Sequence, residues 1–424
     1  MCIFSAFLAF LDLAQILLYI WSKKSKGVVT MNALENIKIL DLSEKLTISL
    51  ATLYLSSYGA EVTKVERPNG GDKVRSWEPV KNGDSLYFNY LNSGKKSITL
   101  DIATAEGAEI LKKLLPFYDV ICVGAEAGYM ESLGLGYEDL KAMKPDIIYA
   151  SYSYYGETGP YKNKPASSLT AQAKGVAMDM TGVHNEYPVQ SAPSIAEHYS
   201  AAYFATGIVM ALIDRNIRGI GQKVDIALLD SIYSCIEAAP AAYSTVGEVH
   251  KRKGNFDPSC APYDTFETSD GYVAVGVATQ NQWEKFCDVL DLGDLKEDPR
   301  FIDNEGRRTD YMDTLRPILA KRLSVYTKTE VENKCRTQGI PCCAVLTIPE
   351  ITDLPNTLEN GYMVSVNSEK YGTLRYPSIP FVLGDTKAKS FADAPALGKD
   401  TNACMEMLGI TEKDIHTLQG KKVI

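Results

Sequence analysis

The chain has 424 residues, enough for two or three domains and at least one large core. Its apolar fraction of 45% and charged fraction of 23% are typical of an ordinary globular protein, and the formal net charge of -9 argues against a nucleic-acid binder. The nine cysteines include no C-x-x-C pair, which argues against a disulfide scaffold and a zinc site and favours a reduced, cytoplasmic protein. The four histidines are too few to favour a multi-histidine metal centre.

The N-terminal residues differ from the rest of the chain. Residues 2–21, CIFSAFLAFLDLAQILLYIW, are almost wholly apolar and are followed by KKSK. The run is long enough to cross a bilayer, which predicts a membrane anchor with its basic cluster on the cytoplasmic side. The alternative is that translation begins at Met31, because Asp12 and Gln15 inside the run would be costly in a membrane.

From Ile37 onwards, β-rich apolar runs alternate with helical periodicity. Such alternation predicts a parallel, doubly wound sheet with helices on both faces. The predicted strands are IKILDLS (37–43), EVTKVE (61–66), SITLDI (97–102), DVICV (119–123) and DIIYASYS (146–153), and the predicted helices are ISLATLYLSSYG (48–59) and TAEGAEILKKLL (104–115).

A long helix is predicted from about Ser194 to Asn216, followed by the strand QKVDIAL (222–228). The pattern then changes, which indicates a second, smaller domain. It contains the short strands of TFETSDGYVAVGVA (265–278) and the charged helices around NQWEKFCDVL (281–290) and MDTLRPILAKRL (312–323). The tail carries an amphipathic helix that we expect to pack back on a core.

One carboxylate has two interpretations from the start. In PSIAEHYSAAYFATG (193–207), Ser194 and Glu197 have the S-x-x-E spacing of a capping box, in which the glutamate accepts a bond from the backbone of the residue that begins the helix.

No phosphate-binding glycine loop or nucleophile elbow is present in the sequence, so the familiar nucleotide and hydrolase motifs give no guidance.

Several stretches together resemble the class III CoA-transferases, the CaiB/BaiF family that includes formyl-CoA transferase, carnitine CoA-transferase and 2-hydroxyacid CoA-transferases. Their order and spacing extend from about Leu34 to Ile424. The matching stretches are LENIKILDLS, LSSYGAEVTKVERPNGGD, DSLYFNYLNSGKKSITLDIATAEG, LGLGYEDLKAMKPDIIYASYSYYGETGPYKNKP, AQAKG, GIPCCAVLTIPEI and APALGKDT.

The resemblance implies an α/β fold with a Rossmann-like large domain built from both chain ends, a smaller inserted α+β domain, and an interlocked dimer. On this basis the chain divides into an apolar leader (1–30), the first part of the large domain (32–228), a linker helix (229–252), the small domain (253–340) and the return to the large domain (341–424).

The resemblance also implies the chemistry. Family members transfer CoA from an acyl-CoA to a carboxylic acid through an enzyme-bound anhydride and an acyl-CoA thioester on one aspartate. Glu197 occupies that position here, so the capping-box and nucleophile interpretations compete for the same side chain. CoA and acyl-CoA are substrates in this family, and the resemblance implies no permanently bound cofactor and no metal.

Glutamate in place of aspartate leaves two alternatives open. The extra methylene moves the carboxylate by roughly an ångström, and a misplacement of that size can cost on the order of a hundredfold in rate. The chain is therefore either an active transferase, expected as a homodimer, or a non-catalytic CoA-binding subunit that pairs with an active paralogue. A racemase-like activity is disfavoured, because the G-H-D word of the related α-methylacyl-CoA racemases reads Ala166-Ser167-Ser168 here.

Five further positions are expected to bind CoA by resemblance. Leu46, Thr47 and the backbone around Leu100 match positions that line the CoA site, Arg67 matches a position near the nucleotide, and Lys164 matches one near the phosphate groups. The chain departs from the family at Gly124, where an asparagine is usual, and at Ser132, where a basic residue is common. The E-H-Y word at Glu197 is similar to the D-H-Y of some family members and favours a small or branched hydroxy or aryl acid as acceptor.

Overall fold

The computed structural model describes residues 32–192 and 194–424. The apolar run at 2–21, with its two interpretations, lies outside the described residues. Within those two ranges, no helix is both long enough and apolar enough to cross a membrane.

The strands overlap the β-rich runs that predict them, and further strands are present that the runs did not predict. In chain order they are β1 (Lys38–Leu42), β2 (Glu61–Glu66), β3 (Val80–Lys81), β4 (Asp84–Ser85), β5 (Lys96–Thr99), β6 (Val120–Val123), β7 (Ile148–Ser153), β8 (Lys223–Ala227), β9 (Tyr263–Thr268), β10 (Gly271–Gly276), β11 (Cys342–Ala344), β12 (Met363–Ser368) and β13 (Gly372–Pro377).

The α-helices include the long helix predicted from Ser194. In chain order they are α1 (Leu46–Ser57), α2 (Leu86–Leu91), α3 (Ala105–Leu114), α4 (Tyr129–Ser132), α5 (Tyr137–Met143), α6 (Ser168–Lys174), α7 (Ala177–Met180), α8 (Ile195–Arg218), α9 (Leu228–Tyr233), α10 (Ala239–Val246), α11 (Gln280–Val289), α12 (Gly293–Lys296), α13 (Asn304–Arg308), α14 (Leu315–Leu323), α15 (Lys328–Arg336), α16 (Ile348–Thr352), α17 (Pro355–Glu359), α18 (Thr401–Met407) and α19 (Glu412–Gly420).

The described chain divides into two compact units. The first contains residues up to 153 together with 201–226 and 364–424, and the second contains 154–200 and 227–363. The boundary falls inside the long helix α8, so the first turns of that helix belong to the second unit and the remainder to the first.

The first unit is built on a six-stranded sheet in the order β5-β2-β1-β6-β7-β8. The pairs β1–β2, β1–β6, β2–β5 and β6–β7 are parallel, which confirms the predicted parallel sheet. Strand order reverses at β1, which has β2 on one side and β6 on the other. In open parallel sheets, ligands bind outside the carboxyl ends of the strands at such a point.

The core of the first unit joins the two ends of the described chain. Leu40, Ile98 and Ile121 from the sheet cluster with Met405 and Ile415 from α18 and α19, and all five side chains are almost completely buried. The amphipathic tail therefore packs on a core, as its helical pattern predicts.

The second unit has a separate core around the antiparallel sheet β11-β10-β9. The alternating pattern of β10 buries Val273 and Val275 against aromatic residues of α11, including Trp283 and Phe286. Both strands predicted in TFETSDGYVAVGVA are present as β9 and β10, and the two predicted charged helices are present as α11 and α14.

Candidate active site

Glu197 lies in the first turn of α8, which begins at Ile195, directly after Ser194. The N-terminus of a helix carries partial positive charge and favours an anionic side chain. Glu197 is partly buried, and its Oε2 accepts a hydrogen bond from Ser168 Oγ at 3.1 Å. The partner of the carboxylate is thus a side chain at the start of α6, whereas the capping-box interpretation placed the bond within α8.

Ser168 is itself held by a glutamine. The Gln172 amide, one turn further along α6, donates from Nε2 to Ser168 Oγ at 3.3 Å. The other end of that amide, Oε1, accepts from the Ser191 backbone N–H at 3.3 Å. Gln172 is almost completely buried. Three hydrogen bonds in series therefore connect the backbone at Ser191 to the Glu197 carboxylate.

His198, which follows Glu197, has a different hydrogen-bond partner. Its ring Nδ1 lies 2.8 Å from the Ser194 carbonyl oxygen, and the side chain is exposed. Because a carbonyl oxygen only accepts, Nδ1 carries the proton in this contact. His198 is thus attached to the backbone at the start of its own helix.

Lys164 lies in the second unit, on a loop that contacts α6 through two tyrosines. Its ammonium group stands 4.0 Å from the centre of the Tyr161 ring, and Lys174 approaches the same ring at 4.9 Å. Tyr161 packs against Tyr155 at 5.8 Å, and the Tyr155 hydroxyl bonds to Thr170 on α6. The structure therefore places two exposed ammonium groups at one aromatic ring, a pair that sequence reasoning predicted only in part.

The other four expected CoA-binding residues lie in the first unit, at one edge of the sheet. Leu46 and Thr47 begin α1 just after β1, Arg67 follows β2, and Leu100 follows β5. Because β5, β2 and β1 are parallel neighbours, their carboxyl ends meet at the same edge. Residues from three separate stretches of the sequence therefore lie at the edge where ligands bind in sheets of this type.

The start of α1 contains a buried hydroxyl without a hydrogen-bond partner among the described residues. Thr47 is almost completely buried, and its hydroxyl has no hydrogen-bond partner among the described residues. The residue that begins the helix, Lys45, provides no side-chain cap. Gly124 packs against this turn, because a Cβ atom there would lie 3.0 Å from Lys45 Cγ and 3.2 Å from Ile48 Cδ1. The turn therefore leaves little room for the asparagine that the family usually has at position 124.

A buried cluster of four charges lies beneath this turn, and sequence reasoning missed it. Asp41 on β1 lies 3.9 Å from Lys64 Nζ and 3.6 Å from Lys95 Nζ, and Asp72 lies 2.8 Å from Lys64 Nζ. Burial raises the pKa of Asp41, but the two ammonium groups outweigh it and hold that pKa below its usual value. Burial lowers the pKa of Lys95 to about 7.

The cluster fixes the turn that carries the expected CoA-binding residues. Lys64 Nζ donates to the Ser43 carbonyl at 2.7 Å, and Lys95 Nζ donates to the Ser49 carbonyl at 2.9 Å. These two bonds hold the backbone on both sides of Leu46. One feature of the sequence could have indicated this cluster. Lys64 lies in the middle of β2, and a doubly wound sheet buries such a strand on both faces, so the lysine needs buried partners of opposite charge.

Comparison with known proteins identifies the family of the chain. The family model described as CoA-transferase family III matches residues 34–401. The chain belongs to CoA-transferase family III, and it is a CoA-transferase by class. The resemblance found in the sequence is thereby confirmed.

Individual relatives cover nearly the whole of both chains. The succinyl-CoA:glutarate CoA-transferase of Mus musculus is 33% identical over 402 residues, which are 93% of this chain and 91% of the relative. The succinyl-CoA--L-malate CoA-transferase beta subunit of Chloroflexus aurantiacus is 28% identical over 404 residues, covering 94% of this chain and 100% of the relative. Among solved structures, a CaiB/BaiF family protein from Brucella suis superposes with a TM-score of 0.81 at 29% identity, covering 89% of this chain and 99% of that one.

Proposed function

We propose that this protein transfers CoA from an acyl-CoA to a carboxylic acid, with Glu197 as the nucleophile. The observation that carries the proposal is the arrangement of the Glu197 carboxylate at the start of α8. One oxygen, Oε2, is held by the neutral hydroxyl of Ser168, and Oε1 accepts no hydrogen bond from a described residue. A carboxylate that is oriented and keeps one oxygen available is suited to attack a thioester.

The reaction proceeds in four substitutions. Oε1 attacks the thioester carbonyl and expels the CoA thiolate, which gives a mixed anhydride. The thiolate then attacks Cδ of Glu197, releasing the donor acid as its carboxylate and leaving a γ-glutamyl-CoA thioester. The acceptor carboxylate attacks the same Cδ and expels the thiolate again, and the thiolate finally takes the acceptor acyl group, which restores the Glu197 carboxylate. The energy of the thioester is conserved throughout.

We propose small dicarboxylic acids as the acceptor class and succinyl-CoA as the donor. Both relatives described above are named for succinyl-CoA, one with glutarate and the other with L-malate. The E-H-Y word favoured a hydroxy or aryl acid, and malate satisfies the hydroxy-acid interpretation as well. A competition assay with glutarate, malate and an aryl acid ranks these classes, and a clear preference for the aryl acid would contradict the dicarboxylate proposal.

We propose that the enzyme acts as an interlocked homodimer in the cytoplasm. The support is a row of exposed apolar side chains along one face of α8, because a contiguous exposed patch of this kind commonly marks an interface. Sedimentation equilibrium tests this proposal, since a monomeric chain that remains active would refute it. The row comprises Tyr199, Tyr203, Met210, Ile213 and Ile217.

A second candidate is a CoA-binding subunit that needs a paralogue for activity. The relative named as a beta subunit favours this candidate. It predicts that the purified chain binds CoA without turnover and gains activity only when a family member with aspartate at the position of Glu197 is added. Transfer of CoA by the purified chain alone would exclude it.

Trapping the covalent intermediate tests the proposed function directly. The protein is incubated with succinyl-CoA, treated with borohydride or hydroxylamine, and mapped by mass spectrometry. We expect the modification on Glu197, within residues 193–207. An active preparation in which this peptide remains unmodified would contradict the assignment of the nucleophile.

A further inference from the structure

We infer that Ser168 is a catalytic residue that donates a hydrogen bond to the oxyanion formed on the Glu197 carbonyl. This inference rests on the proposed function, because it concerns steps that occur only if Glu197 becomes acylated. Ser168 Oγ lies 3.1 Å from Glu197 Oε2, and the two residues are held on different helices. The contact therefore does not depend on the backbone of α8 alone.

The direction of the hydroxyl proton follows from the neighbouring bonds. A backbone N–H can only donate, so the bond from Ser191 identifies the atom of the Gln172 amide that faces it as Oε1. The opposite end of the amide, Nε2, can only donate, and it points at Ser168 Oγ. The Ser168 oxygen thus already accepts a hydrogen bond from Gln172. Its single proton is directed to Glu197 Oε2.

The chemistry places the negative charge where this proton points. In the first substitution, Oε1 attacks and the oxyanion develops on the donor acyl group, away from Ser168. In the two substitutions at Cδ of Glu197, the remaining oxygen at the Oε2 position is the carbonyl oxygen, and it takes up the negative charge of the tetrahedral intermediate. A donor positioned at such an oxygen lowers the barrier of that step selectively.

A neutral donor serves both halves of the cycle. A cation at this place would stabilise the resting carboxylate strongly and weaken it as a nucleophile, whereas a hydroxyl orients it with a weaker bond. The same hydroxyl then meets a growing charge once Glu197 carries CoA. Because the Gln172 side chain is almost completely buried, it positions the hydroxyl, and we expect the donor to be in place before the reaction begins.

Single-turnover kinetics of Ser168→Ala tests the inference. The first half-reaction is started with succinyl-CoA, and the γ-glutamyl-CoA adduct is followed by intact-protein mass spectrometry. The adduct is then freed of small molecules and mixed with the acceptor acid. We expect adduct breakdown to slow roughly a hundredfold, the usual effect of removing one oxyanion donor, while adduct formation changes far less because attack on the thioester limits it. The variant should therefore accumulate the adduct in the steady state.

Three further variants guard against a purely structural effect. Ser200→Ala removes a hydroxyl on α8 that bonds to the Ala196 carbonyl of its own helix, and it should leave both half-reactions unchanged. Ser168→Thr keeps a hydroxyl and should restore most of the breakdown rate if the donor is what matters. Gln172→Leu leaves the serine in place but removes the bond that directs its proton, and we expect a smaller slowing of the same step.

The outcomes separate this inference from the function on which it rests. If the wild-type protein forms no adduct on Glu197, the proposed function fails. If wild type forms the adduct but Ser168→Ala breaks it down as fast as wild type, Ser168 has no role as an oxyanion donor and the transferase assignment stands. Equal slowing of formation and breakdown in Ser168→Ala would also overturn the inference, because it indicates loss of orientation alone.

Discussion

Shortening the nucleophile by one methylene tests whether the site is built for glutamate. In Glu197→Asp the carboxylate withdraws from Ser168 by roughly an ångström. The present separation of 3.1 Å between Ser168 Oγ and Glu197 Oε2 would then exceed hydrogen-bonding distance. A displacement of that size costs on the order of a hundredfold in rate, or about 2.7 kcal/mol in the activation free energy.

The assay measures kcat and kcat/KM for CoA transfer from succinyl-CoA to glutarate, with Glu197→Gln as the control. Glutamine preserves the length of the side chain and still offers an oxygen to Ser168, but it lacks the nucleophile, so no adduct should form. We expect Glu197→Asp to retain the adduct at a reduced rate. An aspartate variant as fast as wild type, or faster, would refute the reasoning, because it would show that the pocket accommodates the usual family residue and that glutamate is the impaired choice.

Two further predictions concern the first unit. Arg75→Met removes two hydrogen bonds, of 2.7 and 2.8 Å, to the buried Glu66 carboxylate, and we expect about 3–5 kcal/mol of destabilisation by chemical denaturation. Burial raises the pKa of Glu66, but the bonds from Arg75 and Ser97 outweigh this effect, so the pKa in the folded protein lies below the ordinary glutamate value. The ionised Glu66 therefore stabilises the fold fully at a pH above the ordinary glutamate pKa, and this stabilisation is lost as the pH falls through the pKa of the folded protein. The difference in the free energy of unfolding between wild type and Arg75→Met should therefore become smaller on acidification. A difference that becomes larger would contradict this explanation. Arg67→Ala should raise KM for the CoA substrate without changing kcat or thermal stability. Stability should not change because the Arg67 side chain is 66% exposed, and a surface ion pair such as that with Glu44 contributes under about 1 kcal/mol. An unchanged KM would show that Arg67 does not bind CoA.

The periodicity of the sequence was sufficient to predict the parallel sheet. Strands β1 and β6 are short and mostly apolar, and α3 buries Ile110, Leu111 and Leu114 at a repeat near 3.6 residues. The start of α8 was equally visible, because Ser194 precedes a long apolar run. In each of these cases the signal is local, carried by residues a few positions apart, and a single sequence contains it.

The buried charges could not be predicted from local sequence patterns. Lys64 and Lys95 are ordinary lysines in the sequence, and the usual expectation for a lysine is an exposed side chain. Their burial depends on Asp41 and Asp72, which become neighbours only after β1, β2 and β5 have paired. Complementary charges from several strands offset the cost of burial, and this pairing cannot be read from any one strand.

Ser168 was visible in the sequence only as the residue that stands where a racemase has an acid, and its partner Glu197 is twenty-nine residues away. The contact changes the meaning of the extra methylene, because the longer side chain is what reaches the hydroxyl. Glutamate at 197 and serine at 168 should then act as one unit. In a double-mutant cycle, Ser168→Ala should slow adduct breakdown strongly when residue 197 is glutamate but add little to Glu197→Asp, which has already lost the bond. Independent, multiplicative effects of the two substitutions on that step would show that the hydroxyl and the length of the carboxylate side chain are unrelated.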